Sequence, residues 1–266
     1  MTIDILAADS FFAERTTARL TRDMLTDLAA GLTGAVRITG FLSPQLCAAY
    51  ECLLEPRHLA QYDRERYLIP AGRLGPVINE FNMDGQLTAD YWFHAENALA
   101  YWNSLPLGDL RELCIEQLSI AWKRPVQPAR VGGRRLFWGM VREVNEGTLV
   151  HWDEVVREFP GNLFSSKPVV QLAFNLFLSM PATGGATCVW RRRWQPADER
   201  HRVGFGYGPG LGLDQFQQVE ILPATGDAVL FDPRNYHMVH PSDGGRRLAV
   251  AFFVGLTASG DLIVWS

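Results

Sequence analysis

The feature that most constrains this chain's fold is a succession of short apolar segments, separated by polar turns rich in glycine and proline, over residues 136–265. Strands are expected near 136–144, 148–152, 169–180, 187–194, 216–222, 227–231 and 247–254, with a last one at 262–265. β-Branched and aromatic residues in short runs, broken by turn residues, suit half-buried pleated segments. That count suits a mainly β chain of two facing sheets, a double-stranded β-helix or jelly roll of cupin-like form, with helices packed on one sheet.

The first half reads differently. Apolar residues recur at helical spacing over 12–32 and end near Gly31, and 35–42 reads as a strand. Ser43-Pro44 has the form of an N-cap followed by a first-turn proline, opening a helix that runs to about Leu54. Residues 55–87, rich in Pro, Gly and Arg, read as a loop with short elements that covers a site. Helices are expected over 88–105 and 107–122, then a Pro/Gly linker over 123–134. The expected organisation is one domain over 1–266, with a mostly helical part at 1–134 and the jelly-roll core at 135–266.

With 266 residues and 47% apolar content, the chain can bury a substantial single core. A net charge of −4 offers no strong attraction to nucleic acid or to an anionic membrane. The run Arg191-Arg192-Arg193 does not alter this, because consecutive strand residues cannot share a face and phosphate binding needs a broad basic surface. Cys47, Cys52, Cys114 and Cys188 lack a C-x-x-C spacing and read as buried free thiols of a reduced, cytoplasmic protein. No stretch is long and apolar enough to span a bilayer, and Met1-Thr2-Ile3-Asp4 lacks the basic-then-apolar start of a signal peptide. The expected partner is a small molecule, not nucleic acid or membrane; oligomeric state is not legible.

Two segments bear chemistry. His151 and Asp153, in Val150-His151-Trp152-Asp153, would share one side of a strand, with Trp152 turned away. Alone, such a tripeptide reads equally as a surface polar pair. Further on, Gly226-Asp227 opens an apolar strand that Asp232-Pro233-Arg234-Asn235-Tyr236 breaks, and His237-Met238-Val239-His240-Pro241 follows. After a polar turn, Arg246-Arg247 open a second apolar strand, which suggests a hairpin-like pair carrying His237 and Arg247 close together. Two imidazoles and one carboxylate can hold one face of an octahedral ferrous ion and leave the other face open to a chelating cosubstrate and dioxygen. A guanidinium suits the far carboxylate of such a cosubstrate.

These residues resemble the Fe(II)/2-oxoglutarate-dependent dioxygenases over roughly 135–256. The family pattern is H-x-D, a distal H-x-V-x-P, a glycine turn, and R ten residues after the distal His. His237, Val239, Pro241, Gly245 and Arg247 fill it in register, and Thr183-Gly184-Gly185-Ala186-Thr187 matches the family's G-G-x-T turn. The register favours His237 over His240, and Arg247 over Arg246. The resemblance implies that His151, Asp153 and His237 ligate Fe(II), and that Arg247 pairs with the 5-carboxylate of 2-oxoglutarate. Ala249 stands where many relatives have Ser or Thr, so Thr187 or Asn175 is expected to help, or Arg247 acts alone. The implied reaction consumes O2 and 2-oxoglutarate and hydroxylates an unactivated C–H bond of a small molecule, an amino acid or natural-product intermediate. Asp153 occupies the position that related halogenases leave to Gly or Ala, so oxygen insertion is expected. The alternatives are a peptidyl or protein hydroxylase, and a non-catalytic jelly-roll module that binds a metal or small acid.

The substrate pocket is less legible. Arg142 either lies at an edge or points into the cavity to hold a carboxylate; Asn175 either bonds backbone or faces the cofactor pocket. Trp138, Trp152 and Arg192, the arginine expected to turn inward, are further substrate-binding candidates. Glycine-rich 198–214 is a lid or a plain surface loop.

Overall fold

The computed structural model describes residues 11–65 and 67–266, so the extreme N-terminus, where no signal peptide is expected, lies outside the described residues. In chain order the main strands are β1 (Glu14–Thr17), β2 (Ala35–Ile38), β3 (Gly72–Leu74), β4 (Met140–Glu143), β5 (Pro168–Ser179), β6 (Thr187–Arg193), β7 (Gln218–Ile221), β8 (Ala228–Phe231), β9 (Asn235–Val239), β10 (Leu248–Thr257) and β11 (Leu262–Trp265). The helices are α1 (Arg22–Ala29), α2 (Pro44–Leu53), α3 (Ala89–Ser104), α4 (Leu110–Trp122) and the single turn α5 (Val155–Glu158).

The long strands β5 and β10 pair antiparallel from Pro168 opposite Thr257 to Ser179 opposite Leu248. They form the middle of a large mixed sheet ordered β1-β2-β8-β5-β10-β4-β3, with the Ala60–Gln61 strand outermost. The second half of β10 also pairs with β11, which in turn takes Val126–Pro128 alongside it in parallel. A three-stranded sheet, β7-β6-β9, forms the second layer. The architecture is the expected mainly β jelly roll, but the sheets face each other without closing into a barrel.

Both faces of the large sheet are buried, which explains why β5 and β10 are almost continuously apolar. Ala173, Phe177, Val229, Phe231 and Ala249 meet Val189, Val219 and Ile221 of the small sheet. The outer face carries Leu172, Phe174 and Leu176 against the helices. There Phe174 stacks on Phe252, with ring centroids 4.7 Å apart, and receives the edge of Phe41.

Several local expectations hold. Ser43 caps α2 by accepting the Leu46 N–H, with Pro44 in the first turn, and α3 and α4 lie within their expected spans. Others need correction. Residues 12–32 are not one helix: β1 comes first, paired parallel to β2, and α1 begins only after the Thr21 hydroxyl accepts the Met24 N–H. The β-branched Thr16-Thr17 pair and the 2.6 Å Arg37–Glu14 ion pair between the strands favour the extended form there. The 123–134 linker contains the Val126–Pro128 strand. Residues 148–152 form no strand; they touch their neighbours through single bridges at Val150–Tyr207 and His151–His237. The break before His237 is confined to Asp232–Arg234, and β9 starts at Asn235. His237 and Arg247 do not sit on a hairpin. β9 belongs to the small sheet and β10 to the large one, and the intervening turn crosses between them. All four cysteines are free, and Cys52 is exposed, not buried. No helix among the described residues is long and apolar enough to cross a membrane.

Candidate metal centre

The crossing between sheets is what assembles the site. His237 lies on β9, Arg247 just before β10, and His151 and Asp153 on the irregular segment that follows β4. The Asp153 N–H donates to the Pro233 carbonyl at 2.9 Å, so the segment is tied to the turn before β9. That turn is itself held by Arg234, which donates to both carboxylate oxygens of Asp232 at 2.8 and 2.7 Å.

His151, Asp153 and His237 place one donor atom each within 4.8 Å of one another. Oδ2 of Asp153 is 3.5 Å from Nε2 of His237 and 3.9 Å from Nε2 of His151. Nδ1 of His151 lies 2.8 Å from the Leu149 carbonyl, and Nδ1 of His237 lies 3.0 Å from the Asn235 carbonyl. A carbonyl only accepts, so each Nδ1 carries a proton, and each Nε2 faces Asp153. Burial, and then the neighbouring His237, lower the pKa of His151 to about 4, which keeps it neutral. Burial works to raise the Asp153 pKa, but hydrogen bonding to His237 and the nearby His151 outweigh it and hold the carboxyl below its ordinary range. Two imidazoles and one carboxylate fit a divalent ion that prefers mixed N/O ligands.

Arg247 is buried beside this triad. Its Nε donates to the Gly185 carbonyl at 2.7 Å and one Nη to the Thr187 hydroxyl at 3.0 Å. The guanidinium is therefore aimed before any ligand binds. Burial, and then repulsion from Arg142, lower its pKa to about 9, still cationic at neutral pH. Its neighbour Arg246 points elsewhere, donating to Glu143 at 2.8 Å and to the carbonyl of Leu54 at 2.8 Å. His240, the competing imidazole, is half-buried beside Glu220 and is not part of the triad.

The triad and Arg247 line a cavity of about 460 Å3, and Asn175, Thr187 and Arg142 line it too. Arg142 thus points into the cavity, not to an edge. Trp152 also borders the cavity, with its indole N–H donating to the Tyr207 hydroxyl at 3.0 Å. Two substrate-binding expectations fail. Trp138 is in the core, edge-on to Phe252 and beneath Arg111, and does not line the cavity. Arg192 does turn toward aromatics, Phe216 and Tyr236, but both its η nitrogens are taken by Asp198 at 2.8 and 3.0 Å. Neither reaches the cavity because local alternation fixes only a side, not what fills that side.

Sequence reasoning expected residues 55–87 to cover a site and offered 198–214 as a lid, but it missed the contact that joins them and one of the cavity's charges. Tyr67 stacks on Phe205 with ring centroids 4.7 Å apart and planes 7° from parallel, joining the 55–87 region to the glycine-rich 198–214 region over the cavity. The latter is not shapeless: Arg202–Val203 and Gly206–Tyr207 form a small hairpin, and Tyr207 N–H donates to the Val150 carbonyl at 2.8 Å. Glu158, at the end of α5, also lines the cavity. Burial, and then the charge of Asp153, raise its pKa to about 8. The only sequence signal was a glutamate five residues after Asp153, in a segment that resembles an ordinary surface turn.

No family model matches the sequence. The chain is 44% identical over 256 residues to L-γ-glutamyl-L-propargylglycine hydroxylase of Streptantibioticus cattleyicolor, covering 94% of each chain. Among solved structures it is similar in fold to an N-substituted L-amino acid dioxygenase from Burkholderia ambifaria, with a TM-score of 0.59 and 13% identity over 92% of this chain and 91% of that one. It is also similar to a 2OG-Fe(II) oxygenase family oxidoreductase from Burkholderia pseudomallei, with a TM-score of 0.50 and 15% identity over 91% and 93% of the two chains.

Proposed function

The chain belongs to the Fe(II)- and 2-oxoglutarate-dependent dioxygenases, and from that premise we propose that it hydroxylates a C–H bond of an amino-acid-derived small molecule. The 44% identical relative makes a γ-glutamyl dipeptide, L-γ-glutamyl-L-propargylglycine, the first substrate to test. The observation that carries the residue assignment is the convergence of His151 Nε2, His237 Nε2 and Asp153 Oδ2 at the wall of the cavity.

In this reading His151, Asp153 and His237 hold the ferrous ion. When bound, iron and 2-oxoglutarate would supply the oxidation, in which substrate, O2 and 2-oxoglutarate become hydroxylated product, succinate and carbon dioxide, one oxygen atom going to the product and one to succinate. The residues do the rest. Arg247 takes the far carboxylate of 2-oxoglutarate, and a dianionic ligand offsets the cost of burying that cation. Thr187 keeps the guanidinium oriented. Asn175, on the cavity wall between the sheets, is a second polar group for the cosubstrate. Asp153 completes the ligand set with oxygen, which supports hydroxylation over halide transfer. The aromatic contact of Tyr67 with Phe205 narrows access to the cavity, which supports a small substrate over a polypeptide.

The test is anaerobic titration with Mn(II) or Fe(II), followed by aerobic turnover with 2-oxoglutarate and the dipeptide. One metal per chain, and succinate formed in step with a hydroxylated product, are expected. An Asp153→Ala protein that keeps full metal affinity and full turnover would overturn the assignment.

A further inference from the structure

Besides Arg247, two ionisable groups on the cavity wall, Arg142 and Glu158, have no counter-ion among the described residues. Arg142, on β4, has its Nε buried without a hydrogen-bond partner, and no carboxylate among the described residues lies within ion-pair distance of it. Its guanidinium sits 5.8 Å from the centre of the Tyr62 ring. Glu158, on α5, accepts only the backbone N–H of Glu154 at 3.1 Å and meets no cation among the described residues. Other cations near the cavity are spoken for. Arg202 is tied to Glu199 at 2.5 and 2.9 Å, and Arg247 to Gly185 and Thr187. Away from the cavity, buried arginines are paired closely: Arg111 with Asp109 at 2.5 Å, Arg192 with Asp198 at 2.8 Å, Arg234 with Asp232 at 2.7 Å. A half-buried cation and a half-buried carboxyl without charged partners on one cavity wall are costly to ionise unless a ligand of the opposite charge completes each.

We propose that Arg142 and Glu158 are the specificity-determining pair for a zwitterionic substrate, Arg142 receiving a carboxylate and Glu158 an ammonium. This rests on the dioxygenase reading above and deepens it. The bidentate fork of Arg142 suits a carboxylate, and a carboxylate acceptor suits an ammonium with several N–H donors. The apolar part of the substrate then lies along Tyr62, Tyr67 and Phe205. A ligand lacking either charge would leave one wall charge desolvated and unpaired, so the site rejects blocked analogues more strongly than it rejects changes in apolar bulk.

The experiment uses protein loaded with Mn(II) and 2-oxoglutarate without oxygen, titrated calorimetrically with L-γ-glutamyl-L-propargylglycine, its N-acetyl derivative, and free L-amino acids. Wild type is expected to bind a free-amine ligand about 30-fold or more tightly than its N-acetyl counterpart. Glu158→Gln is expected to bind both alike, while Arg142→Gln loses affinity for both and keeps the preference for the free amine. Both variants should bind 2-oxoglutarate as wild type does. Circular dichroism and the metal titration confirm that each variant is folded. The proposal is overturned if Glu158→Gln keeps the free-amine preference, if Arg142→Gln weakens 2-oxoglutarate and not the amino-acid ligand, or if no zwitterion binds the loaded wild type. Loss of Mn(II) or 2-oxoglutarate binding by wild type would instead refute the underlying dioxygenase assignment.

Discussion

The main chains of His151 and His237 exchange two hydrogen bonds, each N–H donating to the other's carbonyl, at 2.9 and 2.8 Å. This single bridge joins an irregular segment to a strand of the small sheet and sets the two imidazoles 4.2 Å apart, tilted by 50°. The geometry of the centre thus rests on backbone pairing that does not need the ligand side chains.

Removing Asp153 should therefore cost the metal and not the fold. Asp153→Ala is expected to weaken Mn(II) or Fe(II) binding by more than about 100-fold, beyond what loss of a supporting partner costs. The melting temperature of the metal-free protein should move by no more than about 2 °C. Calorimetry of metal binding and a thermal melt check both halves.

Thr187 holds one η nitrogen of Arg247 at 3.0 Å, opposite the Gly185 carbonyl. Thr187→Val keeps the shape and removes the acceptor. A hydrogen bond to a charged group is worth about 1.5 kcal/mol at the low end, so the Kd for 2-oxoglutarate should rise about tenfold or more. Metal affinity should be unchanged. A variant whose 2-oxoglutarate affinity matches wild type would show that Arg247 needs no support.

Gly147 has a φ of +80°, and a Cβ there would lie 2.6 Å from the Val239 carbonyl oxygen and 2.9 Å from the Pro241 nitrogen. Close approach at this point lets Thr148 N–H donate to the Val239 carbonyl at 2.9 Å, just ahead of the His151 bridge. Gly147→Ala should destabilise the protein by about 1–3 kcal/mol, lowering the melting temperature by roughly 2–12 °C. Metal affinity should fall with it, since the strain is relieved by moving the segment that carries His151.

Glu199 anchors the 198–214 cover through Arg202, the Tyr207 hydroxyl and the Trp194 indole, and the Arg202 bond leads in lowering its pKa to about 2. A carboxylate depressed in the folded state stabilises fully above its ordinary pKa of 4.5 and loses that contribution as pH falls toward 2. The cover should therefore loosen between about pH 4.5 and 2, seen as faster hydrogen exchange over 196–208, and Glu199→Gln should lose that pH dependence. The carboxylate is partly exposed, so added salt should weaken the effect.

Local pattern made much of this chain legible. Alternation and turn residues located β5, β6, β8, β10 and β11, and the cap chemistry of Ser43-Pro44 located α2, because these signals act within a few residues. Residues 12–32 misled for the same reason: their apolar spacing was compatible with a helix, but Thr16 and Thr17 pair with a strand twenty residues on. Arg192 and Trp138 were placed on a plausible side, yet Asp198 and Arg111, which do not line the cavity, claim them. Glu158 left only its spacing from Asp153 as a local mark, and the Tyr67–Phe205 contact left none.

The sequence alone determined the chemistry on offer: two histidines, one aspartate and one arginine, with the ten-residue interval from His237 to Arg247. Only the tertiary structure decided that this interval crosses from one sheet to the other, and that Arg142 and Glu158 reach the same cavity unpaired. The physical reason is range. Side-chain identity and short periodicity are written locally, whereas the partner of a buried charge or of a strand edge is set by contacts between residues far apart in the chain.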